Sequence, residues 1–365
     1  MTIRDSGKTC LVWLLWLCPV WFLANPAGAQ DKQEQITLGS AERTFLVHLP
    51  TGYQSTQHYP VVLLFHGRQQ DAADMAGLSR FNQVADHYGI IAVYPNALQG
   101  RWNIGVAPQE RPRQSPPAGR RGGRGGMGGV GFPGGGPMGR RGGSGGGGQG
   151  RGTGDQDSSR QAPRTTPPDD IAFVNGLLDK LSSSYAVDPT RIYAAGLSDG
   201  GFMTFRLGCS LAGRLAAVAP VAAEMPKTMT CAPSRVLPVL MINGTSDPVV
   251  PYKGGAGKAD SFATLSAPDS AKMWAALNNC EPKPQRTTVA PSAKGGKKTQ
   301  VDTYRCAQDT KVVLYSVKDG GNTWPGGQPF LAANQVGRTS SDLEASEAIW
   351  SFLQPYRLPA ATPAN

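Results

Sequence analysis

Arg191-Ile192-Tyr193-Ala194-Ala195-Gly196-Leu197-Ser198-Asp199-Gly200-Gly201 is the stretch on which the reading of this chain turns. A run of strand character passes directly into Gly-x-Ser-x-Gly, and an apolar helical pattern follows from Gly200 to Leu211. Flanking glycines permit a sharp, strained turn that lifts the Ser198 hydroxyl above a sheet, and the next amide, that of Asp199, is left to donate to an oxyanion. The same five-residue pattern also occurs as an ordinary glycine-rich helix start. Its position between a strand and a helix selects the first reading, with Ser198 as a nucleophile.

Working outward, Val61 to Phe65, Ile90 to Tyr94, Ile192 to Ala195 and Val239 to Ile242 read as buried strands. Asp170 to Tyr185, Gly200 to Leu211, Asp269 to Leu277 and Ser341 to Leu353 carry helical spacing. Alternation of this kind predicts an α/β fold, a mostly parallel central sheet with helices on both faces. Gln35 to Leu49 alternates polar and apolar residues and predicts an antiparallel hairpin at one edge. Lys283 to Lys298 reads as a surface loop, and the tail after Pro355 as a frayed end.

A second oxyanion donor is expected in the loop after an earlier strand, where Leu63-Leu64-Phe65 ends in His66-Gly67-Arg68. The backbone N–H of Gly67 or Arg68 fits that task, while the His66 side chain reads either as structural or as part of the substrate wall. Asp247 emerges after the buried strand Val239 to Ile242, where a triad carboxylate belongs, although a turn-stabilising Asp would look the same. A histidine should come later in the chain. The only four are His48, His58, His66 and His87, all before Ser198.

Four segments in fixed order now make the pattern specific: Phe65-His66-Gly67, Gly196 to Gly201, Gly244-Thr245-Ser246-Asp247-Pro248-Val249-Val250-Pro251-Tyr252, and Gly320-Gly321-Asn322-Thr323-Trp324-Pro325-Gly326-Gly327. Together they resemble the polyhydroxybutyrate depolymerase and feruloyl esterase family, secreted esterases of the α/β-hydrolase fold, from about Thr44 to Phe352 apart from one insertion. Trp102-Asn103, Asp169-Asp170 and the two cysteine pairs also fall where that family has counterparts. The resemblance implies a serine esterase acting on hydroxyalkanoate polyesters or on feruloyl and acetyl esters of plant polysaccharide, with no metal or organic cofactor. It implies Ser198 and Asp247 as catalytic residues, and Trp102 and Trp324 near the substrate, where core packing is the alternative. Two positions depart from the family. Asp199 stands where Asn is usual, and Asn322 stands at the place of the catalytic histidine. An amide cannot take the serine proton near neutral pH, so the general-base step is lost as written. A non-catalytic polymer or carbohydrate binder, a substituted but active enzyme, and rescue by His66 or Asp247 through water remain open.

Composition bounds the rest. Arg4 and Lys8 precede an apolar run from Leu11 to Leu23 interrupted by Pro19, and Ala27-Gly28-Ala29 offers a cleavage site, so residues 1–29 read as a signal peptide. The run is short for a membrane span, and neither Cys10 nor Cys18 sits where a lipoprotein requires it. Four cysteines remain, Cys209, Cys231, Cys280 and Cys306, suited to two disulfides in an oxidising compartment. Of the three possible pairings, the two short loops, Cys209 to Cys231 and Cys280 to Cys306, are preferred.

The net charge of +10 is localised. Ile104 to Pro168 holds ten Arg, no Lys and three acids, hence +7, and the leader carries +1, which leaves +2 for residues 30–365 outside the insertion. That segment also holds 22 of the 47 Gly and cannot build a core, so it is expected to be a disordered insertion within one domain. A near-neutral body argues against nucleic acid as a partner, while the Arg-rich segment offers contact to an acidic polymer.

Overall fold

The computed structural model describes residues 28–106, 168–257, 262–291, 296–297 and 299–359. Residues 1–27 of the leader and 107–167 of the insertion therefore lie outside the described residues. In chain order the elements are β1 (Gln30–Leu38), β2 (Ala41–Leu49), β3 (Tyr59–Phe65), α1 (Ala72–Ser79), α2 (Phe81–Tyr88), β4 (Ile91–Pro95) and α3 (Asp170–Ser184). Next come β5 (Val187–Leu197), α4 (Asp199–Ser210), β6 (Ala217–Val221), β7 (Val239–Gly244), β8 (Gly255–Ala256), β9 (Ala263–Thr264) and α5 (Ala267–Leu277). The chain closes with β10 (Gln285–Val289), β11 (Thr299–Arg305), β12 (Lys311–Val317), α6 (Ala333–Val336) and α7 (Ala345–Leu353).

Ten strands form one sheet in the order β1-β2-β4-β3-β5-β6-β7-β12-β11-β10. The run from β4 to β12 is parallel, and antiparallel pairs finish both edges. Period-two alternation feeds two cores. Val61, Leu63 and Phe65 of β3 pack on one face with Phe173, Leu177, Phe205 and Trp274 from α3, α4 and α5. Val62 and Leu64 point the other way, toward Met75, Phe81, Ile349 and Trp350 of α1, α2 and α7. Burial on both faces explains why β3 is apolar throughout rather than alternating. This is the α/β-hydrolase architecture. Among the described residues no helix is long and apolar enough to cross a membrane.

Local chemistry sets the element ends. The Asp169 carboxylate accepts from the Ile171 and Ala172 amides at 3.1 and 3.0 Å and starts α3, and Ser266 caps α5 by accepting from the Asp269 amide at 3.1 Å. Asn103 pins the two roots of the insertion together: its Nδ2 donates to Pro168 O at 2.7 Å and its backbone N–H to Asp170 Oδ2 at 2.7 Å.

Three sequence expectations shift. Lys283 to Lys298 is not loop throughout, because Gln285–Val289 pairs with β11 as the edge strand β10. Its residues are all exposed, so no apolar alternation marks it. Beyond Pro355 the chain does not fray at once: Tyr356 O accepts from Tyr193 Oη at 2.7 Å and the Leu358 amide donates to Thr190 O at 2.8 Å. Ile104, taken as the first residue of the insertion, is buried in the core.

Both disulfides join the preferred pairs, Cys209 with Cys231 and Cys280 with Cys306. The first closes a separation of 22 residues from the last turn of α4, and the second closes one of 26 residues from just after α5 to just after β11. Replacing Cys209 and Cys231 together by Ser is expected to lower unfolding free energy by about 3 kcal/mol. Urea unfolding of the chain checks this, and an unchanged midpoint would show that the bridge adds nothing.

Candidate active site

The carboxyl ends of β3, β5, β6, β7 and β12 converge, the edge at which parallel sheets place their ligands. Ser198 stands at the tip of β5 with φ 56° and ψ −112°, a left-handed conformation that costs a β-carbon-bearing residue about 1–3 kcal/mol. The glycines explain how the turn fits. A Cβ on Gly196 would lie 2.3 Å from Gly200 O, and one on Gly200 would lie 2.1 Å from Phe65 O. Helix α4 begins at the next residue, so the Asp199 amide is a first-turn N–H with no acceptor inside the helix. Ser198 itself is half-buried.

The loop leaving β6 organises the rest. Val221 O accepts the Ser198 amide at 2.8 Å, and the next carbonyl, Ala222 O, accepts Asn322 Nδ2 at 3.3 Å. Ala222 is itself left-handed, φ 51°, with its amide bonded to Ile242 O at 2.8 Å. Asn322 Nδ2 also donates to Asp247 Oδ2 at 2.8 Å, and its backbone N–H to Val336 O at 2.6 Å. Asp247 Oδ1 accepts the Val249 and Val250 amides at 2.7 and 2.8 Å. Burial pushes the Asp247 carboxyl up to about 6, against the lowering effect of the Asn322, Val250 and Val249 donors.

The structure thus brings Asn322 and Asp247 into direct contact and ties them to the strand end that holds Ser198. Both amide hydrogens of Asn322 are engaged, which leaves it only an acceptor oxygen and no basic atom.

The β3 loop differs in detail from expectation. The Gly67 amide donates to the side-chain oxygen Gln70 Oε1 at 2.8 Å, so it is already engaged. His66 is buried, its Nε2 accepting the Ala97 amide at 3.0 Å, so Nδ1 carries the hydrogen and donates to Gly67 O at 2.7 Å. Burial lowers its pKa against the opposing Gly67 carbonyl and nearby carboxylates. With both nitrogens committed, His66 neither faces substrate nor serves as a substitute base.

Trp102 is almost fully enclosed: its indole N–H donates to His66 O at 2.9 Å and its ring meets Phe65 edge-on at 5.1 Å. With Asp199, Ile104, Val106 and Phe262 it lines a cavity of about 300 Å³ beside the elbow. Trp324 is instead core on the opposite face, its indole N–H donating to Ser346 Oγ at 3.0 Å, and it does not line that cavity.

Sequence reasoning placed Asp199 by its backbone N–H but missed its side-chain bonds, and it missed Glu224 altogether. Asp199, buried, bonds Arg68 at 3.2 Å through Oδ1 and accepts the Trp102 amide at 3.2 Å through Oδ2. Glu224, three residues beyond Val221, is buried, and its Oε1 accepts Asn243 Nδ2 at 3.0 Å. No motif announces these side-chain contacts. Only an acid beside an apolar strand end hints at them.

Removing Arg68 would take the paired cation from the buried Asp199 carboxylate and leave it only the Trp102 amide. Arg68→Ala is expected to cost about 3 kcal/mol, and Asp199→Asn in the same chain should restore most of it. Denaturant titration of the two singles and the double checks the coupling, and additive losses would show that the pair does not interact.

No protein-family model matches the chain. Curated relatives do. The chain is 24% identical over 342 residues to the putative esterase NocK of Nocardia uniformis subsp. tsuyamanensis, across 90% of this chain and 83% of that protein. It is 35% identical over 169 residues to feruloyl esterase B of Piromyces equi, across 44% of this chain and 30% of that one, so the match spans under a third of that enzyme. Among solved structures, an acetyl xylan esterase from Aspergillus awamori superposes at TM-score 0.46 with 13% identity, over 80% of this chain and 94% of that one. The fold assignment rests on the strand order given above, not on that superposition. By sequence, the chain is a relative of the esterases, feruloyl esterases among them, built on the α/β-hydrolase fold.

Proposed function

We propose that this chain is an exported carboxylic-ester hydrolase with Ser198 as its nucleophile. The observation that carries the reading is the strained Ser198 turn, held by Val221 O one residue from the carbonyl that holds Asn322 against Asp247. Ser198 Oγ attacks the ester carbonyl, the Asp199 amide and a backbone N–H of the loop after β3 near Gly67 receive the oxyanion, and Asp247 orients the group at position 322. The cavity beside Trp102, with Ile104, Val106 and Phe262 as apolar walls, suits the acyl part. Feruloyl or acetyl esters of plant polysaccharide are the favoured substrates, with hydroxyalkanoate polyesters as the further class.

Asn322 favours a second reading by a specific observation: both its amide hydrogens are spent, so proton abstraction has no base in that place. The natural chain then hydrolyses slowly, or binds polymer without cleaving it. A panel of short p-nitrophenyl, feruloyl and hydroxybutyrate esters separates these. Asn322→His is expected to raise turnover by about 10²-fold or more. Ser198→Ala should abolish both turnover and labelling by a fluorophosphonate. Ordinary enzyme rates in the natural chain would end the binder reading, and no gain from Asn322→His together with no Ser198 labelling would end the hydrolase reading.

The Arg-rich segment, outside the described residues, supports a further role as a contact to acidic polysaccharide or another extracellular polyanion. Deleting 107–167 is expected to weaken salt-sensitive retention on such a polymer. Unchanged retention discards the role.

A further inference from the structure

One buried acid near the site has no part in the chemistry above. Glu224 is 1% exposed, and its Oε2 is buried with no hydrogen-bond partner among the described residues. Asn243, at the end of β7, donates through Nδ2 to Glu224 Oε1 at 3.0 Å and to Ala223 O at 2.9 Å. The second of these bonds fixes which way the amide faces, since a carbonyl can only accept. Asn243 Oδ1 is then a second buried acceptor with no partner among the described residues. Two buried acceptors left without donors on one bonded pair are unfavourable, since each has lost its water and gained no partner.

A single proton resolves both. Placed on Glu224 Oε2, it turns that atom into a donor, and the oxygen of the amide already bonded to Oε1 is the acceptor that lacks one. The acid and the amide then pair through two hydrogen bonds in a closed ring.

We propose that Glu224 is held as the neutral acid, paired two-point with the Asn243 amide, and that it is a positioning residue for the candidate active site. The linkage runs through three consecutive carbonyls. Asn243 grips Ala223 O, the neighbouring Ala222 O holds Asn322, and Val221 O holds the Ser198 amide. A charged Glu224 would break the ring and set a second negative charge against Asp247.

The surrounding charges agree. Burial raises the Glu224 carboxyl well above its ordinary range and the Asp247 charge adds to this, opposed by the Asn243 bond. The phenol of Tyr252, bonded to Ser316 Oγ at 2.7 Å, is a further titratable group that senses Glu224. The sign follows: the fold favours protonated Glu224, so this part of its stability is complete below the ordinary value of 4.5 and is lost as pH rises toward the folded value.

The positioning half of the proposal rests on the reading of Ser198 as nucleophile, whereas the proton half does not. The test measures thermal unfolding of the full exported chain from about pH 4 to about pH 9 for the natural protein, Glu224→Gln and Glu224→Leu. Hydrogen exchange over the peptide containing Ser198 is followed in parallel. Gln carries a donor nitrogen and an acceptor oxygen at all pH values, in place of the neutral acid's hydroxyl and carbonyl. The natural protein should match Glu224→Gln at the acid end and fall progressively below it as pH rises. Exchange at Ser198 should be about tenfold faster in Glu224→Leu than in Glu224→Gln. A difference between natural and Gln chains that is constant with pH overturns the proposal, as does equal exchange in the Gln and Leu variants. Neither readout needs turnover, so a failure of the esterase reading shows separately, in the fluorophosphonate and ester experiments.

Discussion

The carbonyls of Val221 and Ala222 are the constraint on which the site depends. One accepts the backbone of the strained serine and the other the side chain that contacts the acid. Both Ser198 and Ala222 occupy left-handed backbone that a side chain disfavours, and such conformations persist only where surrounding bonds over-determine them. Here those bonds extend the parallel ladder past its last regular pair, from β5 to β6 and from β6 to β7. Sheet register and site geometry are therefore one property. A slip of one residue in β6 would exchange its two faces and remove both acceptors.

Orientation and proton transfer are separable in this arrangement. The amide of Asn322 supplies a donor to Asp247, so the acid keeps a partner and the loop keeps its place. What the amide lacks is an atom that gains a proton near neutrality. The architecture is consequently silent about rate. The same separation applies at Asp199, where an acid next to the elbow is bonded by Arg68 and by the Trp102 amide.

The elements visible in the sequence are those whose pattern is enforced by burial. The four strands singled out beforehand lie in the parallel core, and the Ser198 turn was legible because glycines are required where backbones approach within a Cβ radius. Elements outside that rule escaped notice. β10 is exposed throughout and has no alternation to find, and β6 is short and rich in alanine. Around the site, Ser198, Asp247 and Asn322 could be placed by motif, because motifs report backbone turns. The Asn243–Glu224 pair could not, since its meaning comes from the neighbouring strand ends meeting in space. The two tryptophans show the same limit. Both belong to recognisable segments, but only Trp102 lines the cavity, while Trp324 is enclosed under α7.

The pinned roots at Asn103 and Pro168 bear on how this protein tolerates change. Asn103 holds both ends of the excursion, with its own carbonyl bonded to Arg206 on α4, so the places where the chain departs and returns are fixed by one residue. Sequence added or removed there alters the entropy of closure only logarithmically. That makes the point between Val106 and Pro168 a natural port for grafted sequence, such as a binding module or a reporter, seated at the border of the cavity.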